Sequence, residues 1–333
     1  MISTLLLSLS LLGSLVINAL LWAWLLQVGC RWAKIPDVTF KRAIFIWFAL
    51  SIGQGVLAVA FYFLTREVEF TPAFELLQLA CFMFSGVVLL VIFLKAKVLK
   101  AIQAWLPTLI ISVVMAGFVV LIFRPFLFEA FIIPSNSMAP TLRGVHCESV
   151  CPECGKSSYC SVSRGQDPVS TICENFHITK VVDPVKTDDS GDRILVAKFF
   201  QPKRWDIMVF VQPGGDQVIA KRVVGFPGER VHIEDGAVWI DGVKQTPPDS
   251  IANIKYSLRI PAWDIEATAS KENPAQLGDD EYFVLGDFAD MSFDSRYWRE
   301  GASGHNAFAV PKSHIKGIVT HTYWPPSRWK IHR

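Results

Sequence analysis

The chain has 333 residues, of which 51% are hydrophobic and only 19% charged, and its mean hydropathy is +0.35. Soluble globular domains carry about 25% charged residues, so a chain that is water-soluble throughout is excluded. A net charge of +2, with no basic patch interleaved with aromatics, also excludes nucleic-acid binding. The apolar excess lies in residues 1–130, whereas residues 143–333 have the composition of a soluble domain.

Four apolar stretches are long enough to span a bilayer, which takes about 20 residues. They run from about Leu5 to Val28, Ala43 to Leu64, Leu76 to Leu94 and Trp105 to Phe123. Each is nearly free of charge, which predicts transmembrane helices rather than buried core helices. The first has no Lys or Arg in "MIST" ahead of it, so it reads as a helix that stays, not as a cleavable signal peptide. The first loop carries Arg31, Lys34, Lys41 and Arg42, and the third carries Lys95, Lys97 and Lys100. The second, "TREVEFTPAFE", has one Arg and three Glu. Lys and Arg mark the cytoplasmic side. Loops one and three are therefore expected inside, with both termini and everything after Phe123 outside.

The fourth stretch leads into "RPFLFEAFIIPSNSMAPTL", residues 124–142. "FEAFIIP" has the composition of a strand, and Pro134 stops any helix. Ser135 and Ser137 then sit in a turn constrained by Pro134 and Pro140.

Five of the seven cysteines follow within a short span: Cys147, Cys151, Cys154, Cys160 and Cys173. Cys151-Pro-Glu-Cys154-Gly is a knuckle turn with the spacing for two thiolates on one zinc ion. Cys173 supplies a third ligand and Cys160 or His146 the fourth, with His177 also nearby. Disulfides are the alternative in an oxidising compartment, and five cysteines would leave one thiol over. Cys30 and Cys81 fall in or near the helices and are expected to be inert.

Further on, "VIAKRVVGFPGE" (218–229) reads as a strand in which Lys221 shares a face with Ile219 and Val223. A lysine turned inward among β-branched neighbours loses solvation, and its pKa falls. A neutral lysine can serve as general base to a serine. "RVHIEDGAVWIDGVKQ" predicts two strands joined by an Asp-Gly hairpin turn.

"PSNSMAPTL" and "AKRVVGFPGE" resemble the serine and lysine boxes of type I signal peptidases, here with a Cys-rich insertion after the serine box. "RWDIMVF" (204–210) and "GDFADMSFDSRYW" (286–298) resemble two further boxes, in the family order. The resemblance implies a mainly β peptidase domain and removal of signal peptides from exported preproteins, without a catalytic cofactor. It implies Ser137 as nucleophile and Lys221 as general base. Ser135 would join the Ser137 backbone N–H in the oxyanion hole, Ser292 would orient the lysine, and Asp294 and Arg296 would pair to support that loop. Asp206 is read as structural. The last box departs from the family pattern, with Phe288, Ala289 and Met291 where polar residues are usual. Signal peptides present small residues before the cut, and Ile133, Ile219 and Ala220 are the candidate pocket residues.

The expected organisation is a multi-pass region of about four helices, 1–124. An extracytoplasmic β-rich peptidase domain follows, 125–333, with the insertion at 143–180. The expected place is the bacterial cytoplasmic membrane, the expected partners preproteins and membrane lipid. A self-cleaving repressor-type Ser-Lys protease is disfavoured by the four spans. The altered last box leaves one alternative, a non-catalytic membrane protein whose Cys-rich insertion binds a partner.

Overall fold

The computed structural model describes residues 2–65, 72–161, 169–181, 185–186, 191–258 and 267–333. The chain divides into two compact units, Met1–Val120 and Leu121–Arg333.

The first unit is four helices: α1 (Ile2–Trp32), α2 (Phe40–Thr65), α3 (Pro72–Leu94) and α4 (Val98–Phe118). Ala23, Leu26 and Cys30 of α1 recur at helical spacing. They bury one stripe with Ala43 and Ile46 of α2, Leu90 and Leu94 of α3, and Ala101 and Ala104 of α4. Four of these nine residues are alanine, and small residues let helix backbones approach closely. Gly29 marks the tightest approach, since a Cβ there would lie 1.9 Å from the carbonyl oxygen of Ala104. The opposite faces are equally apolar, with Ile17, Phe45, Phe48, Ile52 and Val113 exposed. Helices apolar all round are built for a non-aqueous surrounding.

Among the described residues, two helical segments are long and apolar enough to cross a membrane: Phe40–Phe61, of 22 residues, and Val98–Leu127, of 30. The expectation of about four spans is corrected to these two. Met83–Leu94 is a shorter apolar segment within α3. The predicted spans Leu5–Val28 and Leu76–Leu94 include residues whose side chains lie outside those described, as does the loop with Arg66, Glu67 and Glu69.

The second unit is mainly β. Its largest sheet has eight strands among the described residues. In spatial order they are Phe128–Ile132, Arg193–Ala197, Ile315–Trp324, Ile207–Val211, Val218–Gly225, Glu281–Leu285 and Val310–Pro311, with Lys330–Ile331 beside Ile315–Trp324. Every pairing is antiparallel. Both faces are covered, which the strand Ile207–Val211 shows by its alternation. Ile207 and Val209 pack with Met138, Leu142 and Val196, while Met208 and Phe210 pack with Val223, Val284 and Trp298.

A second sheet contains the predicted hairpin. Arg230–Glu234 pairs with Ala237–Ile240 in antiparallel register, and Asp235 (φ 52°) and Gly236 (φ 77°) form the turn. Both central residues at positive φ is what a two-residue hairpin of this hand requires. A third, five-stranded sheet holds the Cys-rich segment, with His146–Val150 and Ser157–Ser161 at its centre.

Candidate active site

The serine turn is held from both ends. The Ile133 N–H donates to the Asp192 carbonyl (2.8 Å), and the Leu142 N–H to the Met138 carbonyl (2.9 Å). Asn136 is the central tie, and it is 1% exposed. Its Nδ2 donates to the carbonyls of Val145 (3.0 Å) and Cys160 (2.9 Å), and its Oδ1 accepts from the Gly144 N–H (2.8 Å). Every polar atom of that side chain is used, so the turn is locked to the start of the Cys-rich segment. Sequence reasoning passed over Asn136 as one more turn former. An amide between two serines carries no mark of long-range bonding.

Lys221 meets this turn from the strand Val218–Gly225. Its register partner is Met208, and only 3% of it is exposed. The Nζ donates to Ser137 Oγ at 2.7 Å and to Ser292 Oγ at 2.9 Å. Burial pushes its pKa down from 10.5 to about 8. Asp294 and Asp287 pull it up and Arg296 pushes it further down.

Ser292 comes from the segment that follows Glu281–Leu285. The Phe288 N–H donates to the Ser137 carbonyl (3.1 Å), which draws the two segments together. Gly286 makes the approach possible. A Cβ there would fall 2.0 Å from Ser292 Oγ and 2.6 Å from the Ser137 carbonyl oxygen. Asp294 and Arg296 pair in bidentate fashion, Nε to Oδ1 and Nη2 to Oδ2, each 2.8 Å. Both are fully buried. Asp294 also accepts the Gly286 N–H (2.8 Å), and Arg296 donates to the carbonyls of Ala289 (3.0 Å) and Ser257. The pair therefore supports the loop carrying Ser292.

A second buried pair escaped sequence reasoning. Arg222 Nε donates to Asp287 Oδ1 (2.7 Å), and Thr141 donates to the other oxygen of the same carboxylate. It ties the lysine strand, the serine turn and the Gly286 segment to one another. The adjacent letters Lys-Arg and Gly-Asp were the available signal. Asp206 accepts the Lys203 N–H (2.8 Å) and lies 3.6 Å from Arg333, a turn-holding place.

Ser137 and Lys221 open into a cavity of about 330 Å³ that is also lined by Ile133, Ser135, Ile219 and Ala220. Met291 and Phe293 complete its rim. The departures in the last box have a packing role. Phe288 is buried with Ala139, Tyr159 and Ile172, and Phe176, Ile178 and Met291 lie against that group.

The cysteines separate into two sets. Cys147 and Cys160 face each other across paired strands and form a disulfide. Cys160 is therefore not a metal ligand, a correction to the expected set. His146 is not in the converging group either: its Nε2 lies 3.4 Å from Glu148 Oε1. The ligand atoms that converge are those of Cys151, Cys154, Cys173 and His177, all within 4.8 Å of one another. Such a Cys/His cluster has the donors to hold a metal ion.

Residues 170–324 match the sequence pattern of the family described as "Signal peptidase, peptidase S26". A signal peptidase I of Leptolyngbya laminosa is 31% identical over 160 residues, 43% of this chain and 64% of that one. A probable signal peptidase I-1 of Synechocystis is 30% identical over 155 residues, 43% of this chain and 67% of that one. Signal peptidase I S of Bacillus subtilis is 25% identical over 226 residues, 68% of this chain and 91% of that one. The chain spans 64%, 57% and 50% of the length of three curated relatives it matches. The chain belongs to the signal peptidase family, peptidase S26.

Proposed function

We propose that this chain is a membrane-bound Ser/Lys endopeptidase, a signal peptidase I that removes N-terminal signal peptides from exported preproteins. One observation carries the reading: a buried lysine, its pKa pushed down to about 8, touches both Ser137 Oγ and Ser292 Oγ at the wall of a cavity.

The chemistry follows from those atoms. Neutral Lys221 takes the Ser137 hydroxyl proton as Oγ attacks the carbonyl carbon before the cut. The carbonyl electrons move onto oxygen, and the Ser135 hydroxyl and Ser137 N–H donate to that oxyanion. Collapse breaks the C–N bond. The leaving amine takes the proton from Lys221 and departs as the new N-terminus. Water, deprotonated by Lys221, then hydrolyses the acyl ester on Ser137 and frees the signal peptide. Ser292 aims the lysine, and Asp294 with Arg296 keeps Ser292 in place. Ile133, Ile219 and Ala220 form the shallow pocket for small residues ahead of the cut. The strand Phe128–Ile132 ends the strand order of its sheet, so its free edge suits an extended substrate joining as a further strand.

The chain is anchored in the bacterial cytoplasmic membrane. Phe40–Phe61 and Val98–Leu127 are the spans in this reading, with the basic loop around Lys97 inside and the β unit that follows outside. Exposed Phe126, Ile132 and Phe199 suit contact with membrane lipid. The Cys/His cluster is read as a structural zinc site outside the reaction.

The test is cleavage of a purified preprotein with Ala at the first and third positions before the cut. The wild-type chain cuts after that Ala-x-Ala, and replacing the last Ala by Phe blocks it. Cleavage that persists in Ser137→Ala would overturn the assignment.

A further inference from the structure

The knuckle at residues 151–156 is a tight loop. The Cys151 N–H donates to the Lys156 carbonyl and the Gly155 N–H to the Cys151 carbonyl, each at 2.9 Å. Gly155 takes φ +71°, a conformation other residues rarely adopt. A second turn approaches it from the end of the strand Val169–Cys173. There the Phe176 N–H donates to the Cys173 carbonyl (2.9 Å), and the Cys173 N–H to the His177 carbonyl (3.1 Å). A backbone N–H is aimed at one of the sulfurs, that of Asn175 at Cys173 (3.3 Å).

The spacings match a tetrahedron. Zinc–sulfur bonds of about 2.3 Å place two sulfurs about 3.8 Å apart. Cys154 Sγ and Cys173 Sγ are 3.7 Å apart, and Cys151 Sγ and His177 Nδ1 are 3.8 Å apart. A disulfide needs about 2.05 Å between sulfurs, so Cys154 and Cys173 stand at a metal spacing and not at a bonded one. Three soft thiolates and one imidazole select zinc over magnesium or calcium, which prefer oxygen. Four protein ligands leave no open position, as in a structural site.

The second turn also carries Phe176. Its φ is +64°, and its ring lies against the group that contains Ala139 and Phe288. Ala139 follows Ser137 by two residues, and the Phe288 N–H bonds the Ser137 carbonyl. An aromatic at Phe288 would be out of place in a polar loop. It makes sense as the far wall of a seam whose near wall is the ligand-bearing turn.

We propose that Cys151, Cys154, Cys173 and His177 bind one zinc ion, and that this ion pins the Phe176 turn against Phe288. The Cys147–Cys160 disulfide is a separate fastening at the other end of the same strand pair. Zinc binding displaces protons from the thiols and uses no oxidant. The proposal does not rest on the peptidase reading, because it can be tested on the Ser137→Ala chain.

Full-length Ser137→Ala protein, purified in detergent without added metal, should contain about one zinc per chain by elemental analysis. His177→Ala and Cys151→Ser should each reduce that at least twofold, and the double change Cys147→Ser, Cys160→Ser should leave it. Chelation should expose Cys151, Cys154 and Cys173 to a thiol reagent and speed proteolysis between residues 143 and 181. Phe176→Ala should keep the zinc yet show the faster proteolysis without chelator. A zinc-free wild-type chain whose three thiols label at once would overturn the proposal. So would a Cys154–Cys173 disulfide found by mass spectrometry, or zinc that is lost with Cys160 and retained without His177.

Discussion

Burial, and not a neighbouring cation, is the main cause that lowers the Lys221 ammonium, and this makes its titration a sharp reporter. A base must be neutral to accept the serine proton. With its pKa near 8, about one lysine in ten is neutral at pH 7, against fewer than one in a thousand for a free lysine. The rate should therefore rise about tenfold per pH unit below 8 and level off above it. The profile of kcat/KM for preprotein cleavage between pH 6 and 10 checks this, and an acid limb centred near 10.5 would mean a solvated lysine. Ser137 and Lys221 were expected from the resemblance of their boxes to those of type I signal peptidases; the prolines around the serine and the β-branched residues around the lysine carry no such meaning by themselves. Asn136, Arg222 and Asp287 were not, since their partners are fixed by tertiary contact. Asp287 meets Arg222 across 65 positions.

Elements matter through the segment Gly286–Arg296, which two buried ion pairs and one glycine hold under the serine turn. Asp287→Asn removes one charge and leaves Arg222, 5% exposed, with its guanidinium unmatched. Breaking a buried pair from one side costs about 3–5 kcal/mol. Denaturant unfolding of the second unit should show that loss. A change below about 1 kcal/mol would mean solvent screens the pair. Gly286→Ala should abolish cleavage in a protein that still folds, because the new methyl must displace Ser292. Activity within threefold of wild type would show that the segment can shift. The disulfide illustrates why element-level detail outran the sequence. Cys160 was taken as a ligand because spacing alone puts it near Cys154, whereas strand register sets it opposite Cys147. Once it is so used, His177 is the ligand that remains within reach.

For the whole molecule, hydropathy revealed the apolar half and the β half, and charge bias suggested the sidedness. Hydropathy was less able to say how many helices cross. Among the described residues, Phe40–Phe61 and Val98–Leu127 meet the length and composition that a span requires. A single cysteine placed at Lys97 should resist a membrane-impermeant thiol reagent in intact cells, and one placed near Arg333 should react. Labelling at Lys97 from outside would invert the arrangement and remove the β unit from its substrates. The most direct test of the account is the cleavage rate of a preprotein by the wild-type, Ser137→Ala, Lys221→Ala and doubly substituted chains in one detergent preparation. If the two residues act as one unit, each single change should lower kcat by about a thousandfold or more, and the double change should add little to either. A Lys221→Ala chain that cuts at the wild-type rate, or losses that multiply, would contradict it.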